Sequence, residues 1–166
     1  MDTMAFVEKF LRKHEEYGFH ANKAERRFDG VIKEQSSDIS SSIICPLTDD
    51  KNDTPFDEII SIATLSLTVS KEHLVKYLKT INQICSKENT RATIYVNDKS
   101  QIEAHYRFQV WESISDKQLE CMLLAPARIL LKHKMQFLMI KIRDVMLTDP
   151  LPPSYPLSSF LRKLGL

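Results

Sequence analysis

The side chains that could carry chemistry are five histidines, three cysteines and one titratable row, and their spacing decides what they can do together. His14, His20, His73, His105 and His133 are scattered along the chain. None belongs to an arrangement of the HExxH kind, with which a helix aims two ligands at one zinc ion. His14 precedes Glu15 and Glu16, but adjacent residues on a helix point in different directions. It falls on an apolar stripe and reads as packed and hydrogen-bonded. His73 reads as solvated in the first turn of a helix, and His20 falls in a loop. His133 stands between Lys132 and Lys134, whose charges oppose a bound cation. No metal site is expected.

Cys45, Cys85 and Cys121 lie far apart, with no CxxC and no zinc-type spacing. An odd count favours free thiols in a reducing compartment. Cys85 sits on an apolar stripe, Cys121 in a helix and Cys45 before Pro46, so all three are expected to be buried, reduced and non-catalytic. Glu103, His105 and Arg107 share one face of a strand, with Tyr95 on the same face of its neighbour. Such a row is an active-site wall or the solvated face of a half-covered sheet. The second reading fits better, because no nucleophile–base pair accompanies the row. No catalytic residue is assigned, and enzymatic activity is not expected. Trp111 follows the polar parity at the end of that strand. It is either an exposed interface anchor or a cover over the edge of the core.

Gly18, Gly30 and Gly165 are the only glycines, and no two lie close together. Loops that cradle phosphate need clustered glycines so that backbone N–H groups can approach the anion. A P-loop and a dinucleotide fingerprint are both absent, and no cofactor is expected. The formal net charge is +1, which gives no whole-molecule field. Locally, Asp49, Asp50, Asp53, Asp57 and Glu58 face Lys51 alone, in a stretch without EF-hand spacing. Arg128, Lys132, Lys134, Lys141 and Arg143 do not make a tight stripe with interleaved aromatics. A nucleic-acid partner is therefore not expected.

The elements that position these residues follow from periodicity. A length of 166 residues with 43% hydrophobic and 27% charged residues suits one domain with a real core. Asp2 to Tyr17 reads as a helix through Phe6, Val7, Phe10, Leu11 and His14, capped at Gly18. Phe28 to Glu34 and Ser40 to Leu47 read as strands joined by Gln35-Ser36-Ser37-Asp38, followed by a loop from Thr48 to Asp57. A third strand, Glu58 to Val69, changes apolar parity between Ile62 and Leu65, which calls for a bulge near Ala63-Thr64. Ser70 to Lys87 reads as a helix with the stripe Leu74, Val75, Leu78, Ile81, Ile84 and Cys85. Ala92 to Val96 and Ile102 to Val110 alternate as a hairpin around Asn97-Asp98-Lys99-Ser100. The capping-box pattern Ser115-x-x-Gln118 opens a helix to about Leu147, which Pro126 must kink or split. The expected fold is α+β: a five-stranded antiparallel sheet with helices packed on it, in the order α-βββ-α-ββ-α, over residues 1–148. The remainder, 149–166, reads as a proline-rich tail ending in a short amphipathic segment with Phe160, Leu161 and Leu164. The charged N-terminal residues are not those of a signal peptide, and no apolar run is long enough to cross a bilayer. A cytoplasmic location and no membrane insertion are expected.

This order, and the residues Ile60 to Val69, the helix with Leu78 and Asn82, the hairpin Ala92 to Val110 and the helix from Ser115, resembles the YbjN family of bacterial sensory-transduction regulators. The resemblance implies a type III secretion chaperone-like fold and a non-enzymatic regulator or chaperone-like protein binder, often dimeric. A near-neutral chain with a basic C-terminal third departs from the acidic character usual in secretion chaperones. The expected function is a non-catalytic protein-binding module with a protein partner, and the chain is a candidate homodimer. Tyr95, His105, Arg107, Trp111, Phe160, Leu161 and Leu164 are its candidate interface residues. The alternative is a small-ligand or lipid-binding domain, with an apolar pocket between sheet and C-terminal helix lined by Tyr106, Met122, Met135, Phe137 and Met139.

Overall fold

The computed structural model describes residues 2–34, 37–47, 57–88, 91–111 and 113–148. The proline-rich tail with Phe160, Leu161 and Leu164, and most of the acidic loop, lie outside the described residues. Helix α1, Thr3–Lys13, starts where the Asp2 carboxylate accepts the Met4 N–H at 3.1 Å. It buries Met4, Val7, Phe10 and Leu11. The α-helix ends four residues earlier than expected, because the His14 backbone leaves helical geometry at φ −130° and ψ 53°. One 3-10 turn, Glu15–Tyr17, follows and closes on Gly18 in the left-handed region at φ 61°.

Strands β1, His20–Asn22, β2, Arg27–Glu34, β3, Ser37–Ile44, and β4, Asp57–Thr68, come next in the chain. Helix α2, Leu74–Glu88, strands β5, Thr93–Val96, and β6, Gln101–Val110, and helix α3, Asp116–Thr148, complete it. The class is α+β, and the sheet is antiparallel in the order β1-β2-β3-β4-β6-β5. It has six strands, not five. The extra strand is β1, a segment expected as loop and too short to show alternation. Its place beside β2 depends on Gly30: a Cβ there would lie 2.9 Å from the Phe19 ring and 3.1 Å from the Phe19 Cα.

In β4 the buried residues keep one parity throughout: Ile59, Ser61, Ala63, Leu65 and Leu67, continued by Val69. Ile60 and Ile62 face the other way and are half-buried. The expected parity change is absent because Ser61 holds an apolar slot, its hydroxyl donating to the Leu123 carbonyl of α3 at 2.6 Å. The expected irregularity is nevertheless present. Thr64 pairs with Glu103 and Thr68 with Gln101, so four steps along β4 match two along β6. The difference is even, so the same face stays buried across the break.

Helix α2 keeps Ile81 and Ile84 of the expected stripe in the core but turns Leu78 and Val75 away from it. After a 3-10 turn, Lys71–His73, it buries Tyr77, Ile81 and Ile84, whereas Leu78 is 40% and Val75 63% exposed. Tyr77 takes the central position and stacks on Phe137 of α3 with ring centroids 6.5 Å apart. Helix α3 opens with the reciprocal capping box: the Ser115 N–H donates to Gln118 Oε1 at 3.0 Å, and the Gln118 N–H to Ser115 Oγ at 3.3 Å. Pro126 lies inside α3 without splitting it. Helix α3 packs on β3, β4 and β6, α2 on β5 and α3, and α1 on β4. Their buried residues form one cluster with the inward residues of the sheet.

The rotation of the α2 face is checked by a pair of variants. Ile81→Ala is expected to lower unfolding stability by about 2–5 kcal/mol and Leu78→Ala by about 1 kcal/mol or less. Urea unfolding followed by circular dichroism measures both; equal losses would put Leu78 back in the core.

Candidate functional site

One face of the sheet lies away from the helical layer. Cross-strand pairing sets its side chains in rows. Arg27, Ile44, Ile60 and Arg107 form one; Asp29, Ser42, Ile62, His105 and Thr93 form the next. Ile44, Ile60 and Ile62 are half-buried on this face, and Val31 is 42% exposed. Charge borders them. Arg27 Nε holds Asp29 Oδ2 at 2.7 Å, and Arg107 Nε lies 3.4 Å from Glu58 Oε1. The result is a small apolar centre between two guanidinium groups.

Beside it, Tyr95, Glu103 and His105 come together, as their shared parity requires. The Tyr95 hydroxyl donates to Glu103 Oε1 at 2.6 Å, and His105 Nε2 lies 2.6 Å from both of those oxygens. Asn97 Nδ2 donates to Glu103 Oε2 at 2.9 Å, and Thr64 Oγ1 to the same oxygen at 3.3 Å. Burial on its own would raise the Glu103 pKa, but donors from Tyr95, Asn97 and His105 hold it below the ordinary carboxylate value. Burial, then the neighbouring Glu103 carboxylate, pushes the Tyr95 phenol above its ordinary value, so it stays a donor. The cluster ties β4, β5 and β6 together at the register break. Arg107 shares the row of expected site residues but not this cluster; it turns to Glu58. Trp111, just beyond β6, is 40% exposed, and its carbonyl accepts the Ile114 N–H at 3.1 Å in the turn that leads to α3.

The histidines separate widely. His14 stacks between Phe10 and Tyr17, with ring centroids 4.5 and 5.7 Å away. His20 lies exposed in β1 rather than in a loop. His73 is half-buried with Nδ1 3.0 Å from Ser70 Oγ. His133 is buried, with Nε2 3.3 Å from Glu88 Oε1, while Lys132 Nζ holds the other Glu88 oxygen at 2.6 Å. The signal for its burial lay in the spacing Leu130, His133, Phe137, which marks the inner face of α3. Among the described residues no group of three or more His, Cys, Asp or Glu could hold a metal ion.

The three thiols also differ. Cys45 is buried, and burial pushes its pKa up to about 12. Cys85 is half-buried, and Cys121 is exposed; the expectation of three buried thiols therefore fails at Cys121, which lies on the solvent side of α3. Cys121 lines a cleft of about 520 Å³ between the β5–β6 pair and the start of α3. Tyr106 and Met122 line it too, as expected of a pocket between sheet and long helix. The other three residues expected there do not. Phe137 is fully buried in the core, and Met135 and Met139 are 63% and 45% exposed.

Two measurements follow. Under native conditions iodoacetamide is expected to modify Cys121 fast and Cys45 only on unfolding; peptide mass spectrometry reads both, and equal rates would contradict the assigned burial. Glu103 gives a pH test. Its folded pKa lies below the unfolded value of about 4.3. Its stabilisation is therefore complete above that value and lost as pH falls through the folded pKa. Glu103→Gln should lower the midpoint of unfolding most at neutral pH, with the gap to the natural chain closing in acid.

No family model and no curated protein matches the chain. Among solved structures, an uncharacterized protein from Methanothermobacter thermautotrophicus is similar at a TM-score of 0.47 and 15% identity, over 84% of this chain and 97% of that one.

Proposed function

We propose that the chain is a non-catalytic protein-binding module, chaperone-like or regulatory, which holds a partner segment on the uncovered face of its sheet. The observation that carries this reading is the apolar centre Ile44, Ile60 and Ile62 bordered by Arg27 and Arg107. Apolar area of this kind, rimmed by charge, gains free energy when a partner covers it, and the guanidinium groups fix orientation. The polar cluster beside it is already closed by its own hydrogen bonds, which suits a rigid rim better than acid–base work.

The finer fold assignment, a type III secretion chaperone-like domain akin to the YbjN family, belongs to the same proposal. It rests on the order of helix, strands, helix, hairpin and long helix, with β1 as an addition to that order. A cytoplasmic location and a homodimer are part of it. Among the described residues no helix is long and apolar enough to cross a membrane.

Screening a displayed peptide library against the full chain tests the reading. Selected peptides should be extended and apolar, with polar or charged residues placed to meet the Arg27–Asp29 and Arg107–Glu58 pairs. Ile60→Lys with Ile62→Lys should weaken their binding at least tenfold while leaving the unfolding midpoint nearly unchanged. Enrichment of nothing, or peptides indifferent to the double substitution, would defeat it.

A further inference from the structure

The cleft beside Cys121 differs in chemistry from the uncovered sheet face and lies on the opposite side of the sheet. Its apolar wall is made by Ala92, Tyr106, Met122 and Ala125, and its charged residues are Arg91 and Lys117. Among the described residues no carboxylate lines it. Two smaller clefts, of about 380 and 290 Å³, each combine a cation with a glutamate: Arg12 with Glu8 and Glu15 in one, Lys33 and Arg128 with Glu16 in the other. Among the described residues neither Arg91 nor Lys117 is engaged in an ion pair. A volume of about 520 Å³ falls within the range of small-ligand sites, about 300–1,000 Å³. Methionine adapts to varied apolar shapes, and Tyr106 adds a flat wall.

We propose that this cleft binds a small anionic amphiphile, with its apolar chain against Tyr106, Met122, Ala92 and Ala125 and its anionic head between Arg91 and Lys117. The ligand class is a medium-chain carboxylate or a similar acyl anion. The sign of the head follows from two cations that no described carboxylate neutralises, because a positive head would meet repulsion there. Chain length matters for the same reason that apolar burial does: each added methylene is expected to raise affinity about fourfold until the cleft is full. The proposal does not depend on the partner surface described above.

Cys121 supplies an internal reporter, being exposed and part of the cleft wall. The full chain is titrated with monomeric dodecanoate and, separately, with dodecyltrimethylammonium, by calorimetry. Alkylation of Cys121 by iodoacetamide is followed in parallel. Dodecanoate should bind at least tenfold more tightly than the cation and slow Cys121 alkylation at least fivefold. Decanoate, two methylenes shorter, should bind about sixteenfold more weakly than dodecanoate. Arg91→Glu with Lys117→Glu should reverse the preference of head group; if that variant fails to fold, Arg91→Gln with Lys117→Gln should abolish it. Equal binding of both amphiphiles, or binding that leaves Cys121 unprotected, would overturn the proposal. So would a Cys121 already protected in the free chain, which would mean that the cleft is filled by the chain itself. Protection by anionic phospholipid vesicles without protection by monomeric dodecanoate would also overturn it, in favour of a membrane surface.

Discussion

The hydroxyl of Ser61 donating to the Leu123 carbonyl at 2.6 Å, wholly buried, sets the distance between sheet and long helix. It is a hydrogen bond between a strand interior and a helix interior, and it requires the two backbones to come close. Small residues make that approach possible: Ser61 and Ala63 on β4, and Ala104 opposite Ala63 on β6. The acceptor sits one residue beyond Met122, whose carbonyl has no i+4 donor because Pro126 lacks an N–H. A helix carrying proline over a row of small residues thus accepts an outside donor one residue along from the bond that proline removes. Apolar residues at Ser61 would fill the space that α3 occupies.

With α3 seated, the rest of the polarity sorts itself. One face of each strand from β2 to β6 turns into the cluster with α1, α2 and α3, and the other carries Arg27, Asp29, Glu103, His105 and Arg107 around a few isoleucines. The uncovered face has its own organising group. The Tyr95, Glu103 and His105 cluster lies where β4 and β6 lose simple register, and it reaches all three strands through Thr64. Hydrogen bonds that cross strands at such a break replace part of the ladder the break removes. The polar face and the irregularity in β4 are therefore one feature, seen from two sides.

Much of this is legible in residue order, and the exceptions have physical causes. The alternation from Ile102 to Val110 reads correctly because five apolar residues all point at one covered face. The Ser115–Gln118 box reads correctly because capping is local. Strand β1 is not legible, since three residues cannot display a period and its pairing depends on the space over Gly30. The buried parity of β4 is hidden by Ser61, a polar residue whose partner lies in an element far along the chain. Leu78 and Tyr77 exchange roles because hydropathy alone ranks leucine above tyrosine, while the ring of Phe137 selects tyrosine. Of the candidate site, the meeting of Tyr95, Glu103 and His105 follows from parity and pairing. The departure of Arg107 to Glu58 does not, because rotamers of long side chains are not written in the spacing.

The strand order β1-β2-β3-β4-β6-β5 also bears on how the chain finds this shape. The pairings β1–β2, β2–β3, β3–β4 and β5–β6 join strands that are consecutive in sequence. Only β4–β6 among the sheet pairings joins strands with other elements between them, and Thr64 meets Glu103 across 39 positions. Closing that long segment, with α2 and β5 inside it, carries the largest loop entropy of any strand pairing here. Pairings within each hairpin-built half close short segments, and the union of the halves along β4 and β6 bears the largest entropic cost. The same seam is where a force applied to the ends of the sheet would have to break long-range rather than local contacts.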